Sequence, residues 1–257
     1  MTSQPINLPQ TPKNAALFSA LPLELRELIY QYIVPLPSSD IFFTPRLCIS
    51  AADVISRPTS LHSAVNDALF PHWLPPISRV SSATRTDVAV YILRQVEIYV
   101  PYHQTIGHLH QFLDTLPDQQ GQGAIRKLNF PSFGAARFAK GWETTYVDFA
   151  KSCPQLATLQ IGINAPDLRK MSAFQGDTLM NAESIIETYK LKDLLALSGL
   201  VNVSIELCAL LNRKRVSGCV TEVKKVAALL MQMFADRGRQ VKVLVIDFRG
   251  KEWSEST

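Results

Sequence analysis

The chain has 257 residues, 47% of them hydrophobic and 19% charged, a balance that can build a core and excludes disorder throughout. Its formal charge of +4, with no basic stripe, is too mild to point to nucleic acid. The length allows one large domain, or one domain with a small appendage.

Residues 1–16 are rich in Pro, Gln, Asn and Thr, have no periodicity, and read as a flexible tail. The first strong signal follows in FSALPLELRELIYQYIVP, where Leu21, Leu25, Leu28, Ile29, Tyr32 and Ile33 fall on one helical stripe. Pro22 suits a first helical turn, Glu24 complements the positive end of the helix dipole, and Pro35 ends the helix. Such a stripe can seat in a partner's groove or pack against a second helix of the same chain, at 77–93. Between the two helices, 35–76 is proline-rich, with only DIFFTPRLCIS suggesting a short strand or two.

From residue 94 the pattern repeats as helix, short connection, strand. The strand candidates are 95–100, 125–130, 156–163, 200–207 and 240–248, and the helices before the last four cover 105–116, 141–152, 178–198 and 220–237. The central residues Ile98, Leu128, Leu159, Val203 and Val243 are 30, 31, 44 and 40 residues apart, too far for hairpins, which predicts parallel strands with helical crossovers. Within the strands apolar and polar residues alternate, as in Val201, Val203, Ile205 and Leu207 against Asn202, Ser204 and Glu206. A parallel sheet covered by helices on both faces would be apolar on both. The expected fold class is therefore α/β, with helices on one sheet face and an open polar face on the other, in the manner of a short, irregular, leucine-rich-repeat-like solenoid. The last strand departs, since Leu244, Ile246 and Phe248 make its second face apolar too, as in a terminal cap or a strand covered by the tail.

The segment Leu21-Pro22-x-Glu24-Leu25-x-x-x-Ile29-x-x-Tyr32-Ile33 resembles the opening of the F-box, and more closely the F-box-like motif LPxELRxxIYxY of a large family of filamentous-fungal proteins. That family's second block is matched by Ile77, Val80, Ser81, Arg85, Asp87 and Tyr91, and a later CPxLxxLxI block by Cys153, Pro154, Leu156, Leu159 and Ile161. The resemblance covers residues 18–163 by motif and the remainder by pattern only. In this chain the proline-rich 35–76 separates the first two blocks, where a full F-box is contiguous. The resemblance implies three regions: the tail, an F-box-like helical region at 17–93 and an αβ-repeat domain at 94–250. It further implies docking on a Skp-type adaptor of a cullin ubiquitin ligase through Leu21, Pro22, Leu25, Leu28 and Ile29.

The open strand face is the second candidate surface. Glu97, Tyr99, Lys127, Asn129, Thr158, Gln160, Asn202, Ser204 and Glu206 should line up as a mixed polar strip facing an unknown target protein, with Tyr99 as its one aromatic anchor. Other constellations point to little chemistry. His103, His108 and His110 have the wrong spacing to converge on a metal from one helix face, and read as solvated or capping. Cys48, Cys153, Cys208 and Cys219 are dispersed and read as buried free thiols of a reducing compartment. The basic run 213–225 reads as a solvated loop around a Ser-Gly turn, followed by an exposed helix face. No catalytic or phosphate-binding motif occurs, and no apolar run is long enough to span a membrane. The expectation is a non-catalytic interaction module, intracellular in the cytoplasm or nucleus, without metal or cofactor. A scaffold that ignores the adaptor and an enzyme of unrecognised type are the alternatives.

Overall fold

Alternation along the strands builds the sheet. The computed structural model describes Phe18 and residues 20–34, 46–48, 74–101, 104–133, 143–172, 176–208, 213–246 and 252. The tail at 1–16, most of the 35–76 stretch and His103 lie outside them. The strands are β1 (Arg46–Cys48), β2 (Glu97–Tyr99), β3 (Lys127–Phe130), β4 (Thr158–Asn164), the hairpin β5 (Arg169–Ser172) and β6 (Gly176–Leu179), β7 (Asn202–Cys208) and β8 (Lys242–Ile246). The main sheet runs β1-β2-β3-β4-β7-β8, and every neighbouring pair is parallel. All five expected strands are present in chain order, and the short sixth falls in the DIFFTPRLCIS run.

The helices are α1 (Leu23–Ile33), α2 (Ser82–Gln95), α3 (Gln104–Leu113), α4 (Gln120–Ala124), α5 (Glu143–Lys151), α6 (Ala182–Thr188) and α7 (Arg213–Ala235). Register carries the core across the sheet: Leu128, Leu159, Val203 and Val243 form one row, and Phe130, Ile161, Ile205 and Val245 the next, all buried. Against β7 and β8 lies α7, which buries Val223, Val226, Leu230 and Phe234. As expected, Val203 and Ile205 are buried while Asn202 and Ser204 occupy the alternate face, half-buried.

Three central strands are entered by the same tight turn. Ile125 N–H donates to Gln122 O, Leu156 N–H to Cys153 O, and Leu200 N–H to Leu197 O, at 3.4, 3.0 and 3.3 Å. In each case the next buried apolar residues come three and five positions on: Leu128 and Phe130, Leu159 and Ile161, Val203 and Ile205. Adjacent turns stack so closely that a Cβ on Gly199 would stand 3.0 Å from Leu156 O and 3.1 Å from Pro154 O.

Several expectations need correction. The helix expected at 178–198 is interrupted: β6 occupies its start, α6 ends at Thr188, Lys190 takes a positive φ of 50°, and a 3₁₀ turn covers Leu191–Ala196. The β5–β6 hairpin and α4 have too few periodic apolar residues to announce themselves in sequence. Helix α7 begins at Arg213, so the basic run is helical and passes through Gly218, where a turn was expected. Beyond β8 the chain makes an antiparallel bridge from Glu252 to Ile246, against the last strand's outer edge.

Candidate functional site

Helix α1 starts on the carbonyl of Pro22, which accepts from Leu25 N–H and Arg26 N–H at 3.1 Å each, and ends with Val34 N–H on Tyr30 O at 2.9 Å. Its side chains divide unexpectedly. The face turned to the body carries Arg26, Glu27, Tyr30 and Val34, with Tyr30 fully buried between Phe18 and Tyr91, each ring centroid 5.8 Å away. Arg26 pairs with Asp87 and also donates from Nε to Leu21 O at 3.1 Å, while Arg94 Nη1 donates to Glu27 Oε1 at 2.7 Å. Burial raises the Tyr30 phenol above its ordinary pKa, against a smaller opposing pull from Arg26.

The apolar stripe points the other way. Leu25 is 47% exposed, Leu28 50% and Tyr32 89%; Pro22 is exposed too, and Leu21 and Ile29 are half-buried. Helical geometry at 100° per residue sets the centre of this stripe roughly opposite Tyr30. Of the two possibilities open in the sequence, packing of the stripe against α2 is not the one adopted. A contiguous apolar helix face left in water is a common mark of an interaction site.

The second surface is the alternate face of the sheet. Register sets Tyr99, Asn129, Gln160, Ser204 and Leu244 in one row across β2, β3, β4, β7 and β8. Lys127, Thr158, Asn202 and Lys242 form the row beside it. Of the nine strip residues expected, Glu97 (7% exposed) and Asn129 (0%) are buried, and the other seven are half-buried. Asn129 Nδ2 donates to Glu97 Oε1 at 2.8 Å, and Gln160 Nε2 to Glu206 Oε2 at 2.7 Å, so an amide on one strand orients a carboxylate on its neighbour twice. Cys208, which the sequence reading left out of the strip, lies beside Glu206, its Sγ 3.6 Å from Oε1. Burial, then the charge and hydrogen bond of Glu206, push that thiol up to about 12.

Other candidates add little chemistry. Cys153 and Cys219 are buried free thiols, and burial pushes Cys153 up to about 12. The His110 ring packs edge-on against Phe149 at 4.9 Å. No group of three or more metal-ligating side chains gathers among the described residues, and none of the described helices is long and apolar enough to cross a membrane. A cleft lined by Ala150, Cys153, Leu156, Leu197 and Gly199 encloses about 60 Å³, far below the few hundred Å³ of a small-molecule site.

The inward residues of α1 are the ones sequence reasoning missed. Their signal was present: Arg26 and Glu27 on one helix, and Asp87 and Arg94, of complementary sign, two turns apart on another. Comparison with family models, curated proteins and solved structures finds no match to this chain.

Proposed function

We propose that this chain is a non-catalytic interaction module that docks a Skp-type ubiquitin-ligase adaptor through α1 and offers a target protein the polar face of a short leucine-rich-repeat-like solenoid. The outward apolar face of α1 carries the proposal. Leu21, Pro22, Leu25, Leu28 and Ile29, the positions at which the F-box-like resemblance implies adaptor contact, all retain exposed or half-exposed surface. A leucine kept about half in water still has roughly half of its 1.5–3 kcal/mol of burial energy to contribute on docking.

Support for the solenoid comes from the sequential parallel strand order and the repeated entry turn. Target contact falls to the half-buried members of the strip, Tyr99, Lys127, Thr158, Gln160, Asn202, Ser204 and Glu206, while the buried Glu97 and Asn129 hold one another by a hydrogen bond. A second reading, a scaffold that never meets the adaptor, draws on a different observation. Arg26, Tyr30, Asp87 and Tyr91 belong to the motif blocks and also hold α1 on α2, so structural need alone could retain much of the motif.

The test is size-exclusion co-elution of the full chain with a purified Skp-type adaptor, beside a Leu25→Asp/Leu28→Asp variant, with circular dichroism of both. A complex formed by the parent and lost in a still-folded variant is the expected result. A well-folded parent that never co-elutes overturns adaptor docking and leaves the scaffold reading.

A further inference from the structure

We infer that the ion pairs Arg26–Asp87 and Glu27–Arg94 act as a rotational lock that selects which face of α1 is presented, and so are positioning residues for the docking surface. The inference rests on the reading of that outward face as the site. It begins from an inversion of ordinary amphipathic packing: a helix with a continuous apolar stripe would normally lay that stripe on its neighbour. Here the body receives Arg26, Glu27 and Tyr30 instead, with Val34 a core residue at the helix end.

The geometry explains how charges can decide this. Asp87 and Arg94 are seven residues apart, two turns or about 10.5 Å along α2. Between them Tyr91 receives the Tyr30 ring at 5.8 Å. Arg26 and Glu27, adjacent on α1, therefore reach in opposite directions along α2, each to its opposite sign. Side-chain exposures of 18% and 20% for the first pair, and 36% and 33% for the second, mean that all four charges have given up much of their hydration. Rolling α1 to bury Leu25 and Leu28 would carry Arg26 and Glu27 away from their partners and leave partly desolvated Asp87 and Arg94 unpaired. Breaking such a pair by losing one member costs more than the pair itself contributes, and polar pairs of this kind are best attested as devices that fix register.

The experiment measures presentation of the face directly. Leu28→Cys is introduced into the full chain and its alkylation rate by a maleimide followed by peptide mass, so that other thiols do not count. Three forms are compared: the native lock, Asp87→Arg/Arg94→Glu, in which both contacts become like-charged, and the fourfold exchange that adds Arg26→Glu/Glu27→Arg. The expected result is a fall of at least about fivefold in the double variant, the scale of a single pair's contribution, and recovery to within about twofold in the exchange. An unchanged rate in the double variant overturns the inference. So does a rise toward the rate of the unfolded chain, since the pairs would then hold α1 to the body without choosing its face; failure of the exchange to recover the rate overturns it as well. Adaptor binding by the same three charge arrangements with Leu28 intact is a separate readout: if the adaptor binds none of them while labelling of the Leu28→Cys forms follows the expected pattern, the lock stands and the adaptor reading falls.

Discussion

Arg239 offers the sharpest test of how the helical layer is fastened to the sheet. It follows α7, yet its guanidinium reaches back to the turn before β7, donating from Nη1 to Leu195 O at 3.2 Å and from Nη2 to Leu197 O and Leu200 O at 2.6 and 3.2 Å. It also lies 5.0 Å from the centroid of the Phe234 ring. Charge-assisted bonds contribute about 1.5–3 kcal/mol each when buried. Arg239 is half-buried, and Leu195 O keeps Arg237 as a second donor at 3.4 Å, so about 1 kcal/mol per bond is the appropriate scale. With about 0.5 kcal/mol from the ring, Arg239→Ala should lose about 3.5 kcal/mol. For a domain of this size that is a fall in Tm of roughly 7–14 °C. Arg239→Lys, a single ammonium in place of a planar fork, should keep about a third of the bonding. The measurement is urea denaturation followed by circular dichroism, with all three proteins fitted to a common slope. An Ala variant within about 0.5 kcal/mol of the parent, or a Lys variant equal to it, would show that the fork does not carry the load assigned to it.

Gly162 sits where the chain leaving β3 crosses β4, and a Cβ there would meet the Pro131 carbonyl oxygen, with Pro131 C and Cα at 2.6 and 2.8 Å. Because the obstacle is backbone, Gly162→Ala should cost at least about 2 kcal/mol, whereas Gly123→Ala, in α4 with nothing within 4 Å of its Cβ, should be neutral or stabilising by up to about 1 kcal/mol; thermal melts of the pair decide it. Cys153 and Tyr146 make stability fall in alkali. Burial raises both groups from ordinary values of 9.0 and 10.0 to about 12, so the unfolded chain ionises first and stability drains as pH rises from about 9 towards 12. At about 1.4 kcal/mol per pH unit, the thiol's share by pH 12 is about 4 kcal/mol, and a pH series of urea melts should show a shallower decline for Cys153→Ala. Cys208, although half-buried on the strip, should alkylate at neutral pH far more slowly than an exposed peptide thiol, and Glu206→Gln should speed it; an equal rate in the parent and the Glu206→Gln variant would refute the carboxylate's hold on the thiol.

The parallel sheet was legible because period-two alternation is a strong signal and 30-residue spacing forbids hairpins between successive strands. Glu97 and Asn129 show where that reading stops. Alternation assigns them correctly to the polar face, but whether a face is open depends on what else packs there, and no local pattern carries that information. The β5–β6 hairpin was missed for a related reason: four-residue strands such as Arg169–Ser172 and Gly176–Leu179 are too short for periodicity to rise above noise. At Gly218 the sequence pointed the wrong way, since Ser-Gly within a basic run signals a turn, whereas the apolar face from Cys219 to Phe234 extends helix α7 back through it.

Helix α1 sets the deeper limit. A stripe of Leu21, Leu25, Leu28 and Ile29 identifies a helix and the face that wants burial, but it does not say whether the burying surface belongs to the same chain. That depends on competition between two faces for one neighbour. The apolar face offers α2 a non-directional gain available against many surfaces, whereas Arg26, Glu27 and Tyr30 need a particular arrangement, and Asp87, Tyr91 and Arg94 supply it at positions i, i+4 and i+7 of α2. Where a specific set of partners is present, the specific face takes it and the general one stays in water. On this argument an apolar stripe is read as an interface only after the charges on the opposite side of the helix have been matched to a complementary helix in the same chain.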